Sequence, residues 1–338
     1  MEVTQRGTIG RIITDNRIVR SATNDYRGGE DKTVSMEQVG IYKELARSNV
    51  GLIITGNFAI SEDGAIDSNQ NALLTSKQRE SARMISDACH EYKKPVVLQL
   101  SHAGLKTRIP KYQGSDLYDV NKMTHDEIKK VINMFAICTL EAKMLGFDGV
   151  QIHLSHGYLL SDFLNPSVNK RSDEFGLLED GDWIINPLFS KIRYLVGDGY
   201  PILVKITSYI DKLSKEKNDK FLENLSKRVE KAGVSSIELS GLNLPSFGKN
   251  DHLYYGDCIN VVKKETNIPL ILTGGLRNME DVNKAISLGA DFVGFSRPFI
   301  RNPLFANDLL AAKESECISC NACYSLKEKG SKRCGFLK

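Results

Sequence analysis

The stretch PLILTGGLRNMEDVNKAISLGADFVGFSR, Pro269 to Arg297, reads as strand, helix, strand. Pro269–Thr273 and Phe292–Phe295 are short apolar runs without polar alternation, the pattern of strands buried on both faces. Between them, Met279–Leu288 carries helical spacing. Leu288-Gly289-Ala290 closes that helix with a glycine, which supplies the left-handed conformation a helix end often needs. This is one strand–helix–strand unit, and the rest of the chain repeats it.

Six more apolar runs precede it: Arg17–Arg20, Val50–Ile54, Pro95–Leu100, Gly149–His153, Pro201–Ile206 and Ser236–Ser240. Helical spacing fills the gaps at Ser35–Ser48, Ser76–Tyr92, Thr124–Leu145, Asn218–Ala232 and Asp257–Thr266, and follows the last run at Asn302–Lys313. Thr124-His-Asp-Glu127 opens its helix as a capping box. Leu145-Gly146 and Ala232-Gly233 end helices as Leu288-Gly289 does. Eight strands alternating with helices predict an α/β TIM (β/α)8 barrel. An open doubly wound sheet is the alternative, but its dinucleotide-binding form would want G-x-G-x-x-G after an early strand, and the sequence has none. The organisation expected is a barrel over residues 1–314 with a short cysteine-rich extension, 315–338.

Composition narrows the function. With 45 basic against 42 acidic side chains the net charge is only +3, which gives no reason to expect nucleic acid as a partner. No run of about 18 apolar residues suggests a membrane span, and MEVTQRGTIG lacks a signal-peptide core. A cytoplasmic protein is the expectation. Four of seven cysteines fall in CISCNACYSLKEKGSKRC, Cys317 to Cys334. In a reducing compartment such a cluster points to metal or redox chemistry more than to disulfides.

A barrel performs its chemistry at the C-terminal ends of its strands. Here those ends carry Ser21-Ala22-Thr23, Thr55-Gly56-Asn57, Gln99-Leu-Ser-His102, His153-Leu-Ser-His156-Gly-Tyr158, Lys205, Ser240-Gly241, Thr273-Gly274-Gly275 and Ser296-Arg297. The Gly274-Gly275 turn lets backbone approach a ligand closely, and Arg297 beside it completes an anion cradle. The loops after the last two strands are this fold's usual phosphate site. His153, His156 and Tyr158 suit hydrogen bonding to a carbonyl or phenolate oxygen and delivery of a proton. A zinc site would need a third ligand, for which Glu127 and Asp148 are the sequence neighbours.

These blocks, in this order, resemble the Old Yellow Enzyme (NADH:flavin oxidoreductase) family from about Asn16 to Pro303. The most specific is IHLSHGYLLSDFLNPSVNKRSDEFG, Ile152 to Gly176; NRIVRSAT, LQLSHAG and ILTGGLRNMEDVNKAISLGADFVGFSRPFIRNP match others. The resemblance implies FMN. Ser21, Ala22 and Thr23 would lie along the flavin, with Gly56 near the ring and Gln99 on the pyrimidine edge. Lys205 would face the N1/C2 carbonyl side. Gly274, Gly275, Ser296 and Arg297 would hold the phosphate, with Ser296, where the family often has Gly, changing at most one backbone contact. His153 and His156 would bind the oxygen of an unsaturated carbonyl substrate and Tyr158 would protonate it, giving an ene-reductase driven by NAD(P)H. Two segments depart from the family, LLEDGDWIINPLFSKIRYLVG and SYIDKLSKEKNDK, and both border the expected substrate pocket.

The tail resembles the segment that carries an iron–sulfur site in the 2,4-dienoyl-CoA reductase and trimethylamine dehydrogenase branch. Cys317, Cys320, Cys323 and Cys334 would hold a [4Fe–4S] cluster; zinc remains an alternative. In that branch further domains deliver electrons, whereas this sequence stops at Lys338. The expectation is therefore that NAD(P)H binds directly over FMN, or that an electron-donor protein feeds the cluster. An amine dehydrogenase or an electron-transfer subunit are the alternative functions. Relatives often self-associate, which makes a homo-oligomer a further expectation of the resemblance.

Overall fold

The computed structural model describes residues 1–29, 31–241, 247–248, 250–325 and 334. A hairpin, β1 (Gly7–Ile9) and β2 (Ile12–Thr14), comes first. The barrel strands follow as β3 (Ile18–Arg20), β4 (Leu52–Ala59), β5 (Val96–Ser101), β6 (Gly149–Leu154), β7 (Ile202–Thr207), β8 (Ser236–Ser240), β9 (Leu270–Thr273) and β10 (Phe292–Phe295). All eight pair in parallel, and β10 returns to β3 to close the barrel. The closing bond runs from Ser21 N–H to the Phe295 carbonyl at 2.9 Å.

Helices α1 (Met36–Arg47), α2 (Ser76–His90), α3 (His125–Met144), α4 (Leu159–Phe163), α5 (Ile185–Val196), α6 (Lys215–Lys231), α7 (Asp257–Glu265) and α8 (Met279–Ser287) cross between strands. Then come α9 (Arg297–Arg301), α10 (Phe305–Leu310) and α11 (Ala322–Ser325). The starts of α1, α2 and α3 are fixed by capping boxes on Ser35, Thr75 and Thr124, each answered by a Gln or Glu three residues on.

Each of the eight expected strands is present to within a few residues. The helix expected over Asn302–Lys313 starts later and is shorter, α10 at Phe305–Leu310. Asn302, ahead of Pro303, is extended (φ −143°, ψ 108°), as the proline ring demands of its predecessor. The expected end of the second strand is also displaced: β4 continues through Gly56 to Ala59 across a register shift between Ile54 and Asn57.

The inside of the barrel has two layers. Ile9 and Ile12 of the hairpin, with Val19, Leu52, Ile54, Val97, Leu203, Ile271 and Phe292, form an apolar cluster to which no helix contributes. The hairpin therefore plugs the N-terminal mouth. Two residues further along, the same strand faces carry Ser21, Gln99, Lys205 and Thr273, because side chains on one face recur with period two. Register places Gln151 beside Gln99, and both His153 and Glu238 beside Lys205. The interior thus turns from apolar to polar along the barrel axis, and every one of these polar residues is buried.

Candidate active site

The polar layer is one hydrogen-bonded network. Glu238 and Lys205 pair at 2.9 Å, with neither exposed beyond 4 % of its side chain. Ser21 and Thr273 donate their hydroxyls to Glu238 Oε1 at 2.5 and 2.7 Å, and Gln151 donates Nε2 to Oε2 at 2.7 Å. Gln99 Nε2 donates to Gln151 Oε1 at 2.6 Å. Burial alone would push the Glu238 carboxyl up; Lys205 and the three neutral donors overcome it and hold the pKa below the ordinary value.

His153, His156 and Tyr158 stand beside this layer. His153 ends β6 facing inward. His156 sits in the loop with φ +65°, a left-handed turn that brings its ring back toward His153. His156 Nδ1 lies 3.2 Å from His153 Nε2, and His156 Nε2 lies 3.1 Å from Ser240 Oγ on β8. The Tyr158 ring meets His153 edge-on with centroids 5.0 Å apart, and its oxygen is hydrogen-bonded by Asn57. Burial, with the neighbouring His156 and Lys205, presses His153 well below its ordinary pKa; burial and then Lys205 bring His156 down to about 3. Both imidazoles are therefore neutral at ordinary pH. Burial raises the Tyr158 phenol, so it keeps its proton. His153 Nδ1 is buried with no hydrogen-bond partner, and an orphaned buried polar atom is a place for a ligand atom or an ordered water.

The anion cradle is likewise assembled. A concavity between β8, β9 and β10 is lined by Gly274, Gly275, Ser296 and Arg297, by Ser21, Ala22 and Lys205 of the polar layer, and by His156. Gly274 (φ +134°) and Gly275 (φ +73°) hold conformations closed to most side chains. A Cβ on Gly275 would also meet Tyr254 at 2.6 Å and the Leu253 nitrogen at 2.7 Å. Arg297 donates to Tyr254 Oη at 3.1 Å and to Asn321 Oδ1 at 2.7 Å. Thr23 Oγ1 lies 2.7 Å from Ser296 Oγ. Ser296 therefore also contributes a side-chain bond. Gly56 abuts this end of β3, where a Cβ would stand 2.9 Å from the Thr23 carbonyl oxygen.

Glu238 and Gln151 escaped the sequence reading, and Asn57, Ser240 and Arg277 stood at strand ends but were given no role there. Arg277 follows the Gly274-Gly275 turn, is 3 % exposed, and donates to Ser319 Oγ at 2.9 Å and Tyr254 Oη at 3.2 Å. A charged residue in an apolar strand, as in SIELS, was the available signal for Glu238, since a buried charge demands a partner. The two acids considered as zinc ligands lie elsewhere. Glu127 caps its own helix through Thr124, and Asp148 accepts from Val96 N–H beside His90.

The cysteines divide in two. Cys89, Cys138 and Cys258 are buried, and burial pushes each thiol up to about 12, so they act as core apolar groups. Cys317 and Cys334 are half-buried, Cys320 is exposed and Cys323 is buried. Cys317 and Ser319 line the cradle concavity, and Ser315 N–H donates to the Arg277 carbonyl at 2.8 Å. The tail thus lies against the cradle. Among the described residues, three potential metal ligands come within 4.8 Å of one another at His125, Asp173 and Glu174, and the tail cysteines do not form such a group.

A closed (β/α)8 barrel with a polar inner layer, a Gly-Gly turn and a buried arginine after its last two strands and a histidine pair beside them has the layout of a barrel enzyme, with its polar groups gathered at the C-terminal ends of the strands. The family model described as NADH:flavin oxidoreductase / NADH oxidase matches residues 8–315. The chain belongs to that family, for which FMN and NAD(P)H are the expected cofactors. It is 28 % identical to an NADH oxidase of Thermoanaerobacter brockii over 93 % of this chain and 52 % of that protein. It is 25 % identical to an NADPH dehydrogenase of Clostridium acetobutylicum over 90 % of this chain and 93 % of that one. The chain therefore spans about half the length of the first relative and nearly all of the second. The fold matches the old yellow enzyme homologue of Zymomonas mobilis with a TM-score of 0.80 at 19 % identity, covering 99 % and 98 % of the two chains. Among the described residues, no helix is long and apolar enough to cross a membrane.

Proposed function

We propose that this chain is an FMN-dependent NAD(P)H oxidoreductase that reduces a C=C bond conjugated to a carbonyl. The observation that carries the reading is the meeting, at one barrel end, of the neutral His153–His156 pair, the protonated Tyr158 and the glycine–arginine cradle. The residues suit FMN: cradle glycines where a Cβ would clash, a guanidinium for a phosphate, and a buried ammonium and amide for the ring. Ser21, Ala22, Thr23, Gly56, Gln99, Lys205, Gly274, Gly275, Ser296 and Arg297 are the proposed holders.

FMN, when bound, supplies the hydride that NAD(P)H gives up and the substrate β-carbon receives. His153 and His156 bind the carbonyl oxygen and stabilise the negative charge that develops there. One such donor is worth on the order of 10²–10³ in rate. Each neutral imidazole carries one N–H, and the His156 Nδ1–His153 Nε2 contact occupies one of the two, so a substrate oxygen must displace that contact to be held by both. Tyr158 gives its proton to the α-carbon, so that hydride and proton together saturate the bond. The deciding experiment reduces the protein anaerobically with NADPH or NADH and then adds 2-cyclohexenone. Return of the oxidised flavin spectrum with formation of cyclohexanone supports the reading, and a flavin that stays reduced refutes it.

The position of the cysteine tail favours a second reading. Cys317 borders the cradle, and Cys317, Cys320, Cys323 and Cys334 are the proposed ligands of a [4Fe–4S] cluster, with zinc as the alternative metal. A cluster there would let electrons pass between the flavin and a partner protein: inward from an electron-donor protein, or outward from a flavin reduced by substrate, as an amine dehydrogenase or an electron-transfer subunit would require. Iron and sulfide near four each per chain after anaerobic purification identify the cluster; zinc without sulfide identifies the alternative.

A further inference from the structure

We propose that Glu238 is a positioning residue that sets both groups facing the pyrimidine end of a bound FMN: it holds the Lys205 ammonium, and it fixes which way the Gln99 amide points. The proposal rests on the flavin reading above. Glu238 is fully buried at the centre of β8, and a carboxylate there costs several kcal/mol unless its oxygens are satisfied.

An ionised carboxylate only accepts hydrogen bonds. Gln151 must therefore turn its NH2 toward Glu238 Oε2, at 2.7 Å. That turns the Gln151 carbonyl oxygen toward Gln99, which must answer with its own NH2, at 2.6 Å. The Gln99 carbonyl oxygen is then the acceptor left over for a ligand N–H. The pyrimidine ring of a flavin offers one such donor, at N3, between two carbonyls. The polarity of the relay is thus decided two side chains away, by the one group in it that cannot donate.

The other arm carries charge. Lys205 Nζ donates to Ser21 Oγ at 2.8 Å and pairs with Glu238 Oε1 at 2.9 Å. These two bonds leave one N–H of the ammonium for the flavin carbonyl edge. They also place a counter-charge beside the one cation that would stabilise negative charge on a reduced ring. Glu238 therefore restrains the reduction potential that Lys205 would otherwise raise.

The test is the two-electron midpoint potential of bound FMN, measured anaerobically by dye equilibration at one fixed pH for all variants. Glu238→Gln is expected to favour the reduced flavin at least tenfold, about 30 mV for a two-electron couple. Glu238→Asp keeps the charge and should move the potential less. A change under twofold in Glu238→Gln, or a fall, overturns the proposal. Should that variant fail to fold, Gln151→Leu keeps both charges and cuts the relay. It is expected to raise the FMN dissociation constant at least tenfold, and wild-type affinity in that variant overturns the proposal. A wild-type chain that binds no FMN would instead refute the flavin reading itself, which separates the two failures.

Discussion

In the proposed reaction Tyr158 and the two histidines would divide the chemistry by their protonation. Because the phenol stays protonated and the imidazoles stay neutral, Tyr158→Phe should slow reoxidation by an enone on the order of 10²–10⁴-fold. Reduction by NAD(P)H should be nearly unchanged, and stopped-flow absorbance separates the two half-reactions. A collapse of the reductive half would remove Tyr158 from the proton-donor role. The histidines also make a stability prediction. Their folded pKa values lie below the ordinary 6.5, His156 at about 3. Below 6.5 the unfolded chain therefore binds protons that the folded one refuses, and stability falls as pH drops from about 6.5 toward 4. Thermal unfolding of His156→Gln should lose about 1–3 kcal/mol less than wild type over that window. Equal losses would show that His156 is not held neutral.

At the level of elements, the cradle depends on backbone that only glycine adopts cheaply. Gly275→Ala should destabilise the fold by about 1–3 kcal/mol, since φ +73° and the Leu253–Tyr254 contact both oppose a Cβ. It should also weaken FMN retention through gel filtration. Arg297→Ala should release FMN and, because Arg297 also bonds Tyr254 and Asn321, lower the stability of the ligand-free chain by about 1.5–3 kcal/mol. The barrel strands were legible because parallel strands buried on both faces leave continuous apolar runs, as in Val96–Leu100 and Ile202–Ile206. The hairpin β1–β2 was not, because each strand has three residues, too few to show a period. Helix α5, in the segment that departs from the family, was not among the clear helical patterns because it lacks a side-chain cap at Ile184 and carries Pro187 in its first turn. Glu238 was passed over because its partner Lys205 is 33 residues away in sequence, and only barrel register makes them neighbours.

On the scale of the whole molecule, the barrel and the cysteine tail share one corner. Arg277 bonds Ser319, and Arg297 bonds Asn321, so the cradle's two guanidinium groups are tied to the tail that carries the cysteines. Occupancy of the phosphate site and the state of the tail should therefore be coupled. Cys320→Ser should lower iron content after anaerobic purification. If a partner feeds the cluster, it should also slow electron entry from that partner while sparing reduction by NAD(P)H. Family and fold could be read from sequence blocks; the contact between tail and cradle could not, because it joins segments that only the closed barrel brings together. The central claim is that a flavin and an oxyanion site of two neutral histidines share one end of this barrel. Titrating the FMN-loaded protein with p-hydroxybenzaldehyde tests it most directly: a saturable long-wavelength charge-transfer band that His156→Ala abolishes is predicted, whereas an unchanged flavin spectrum at saturating phenol would contradict it.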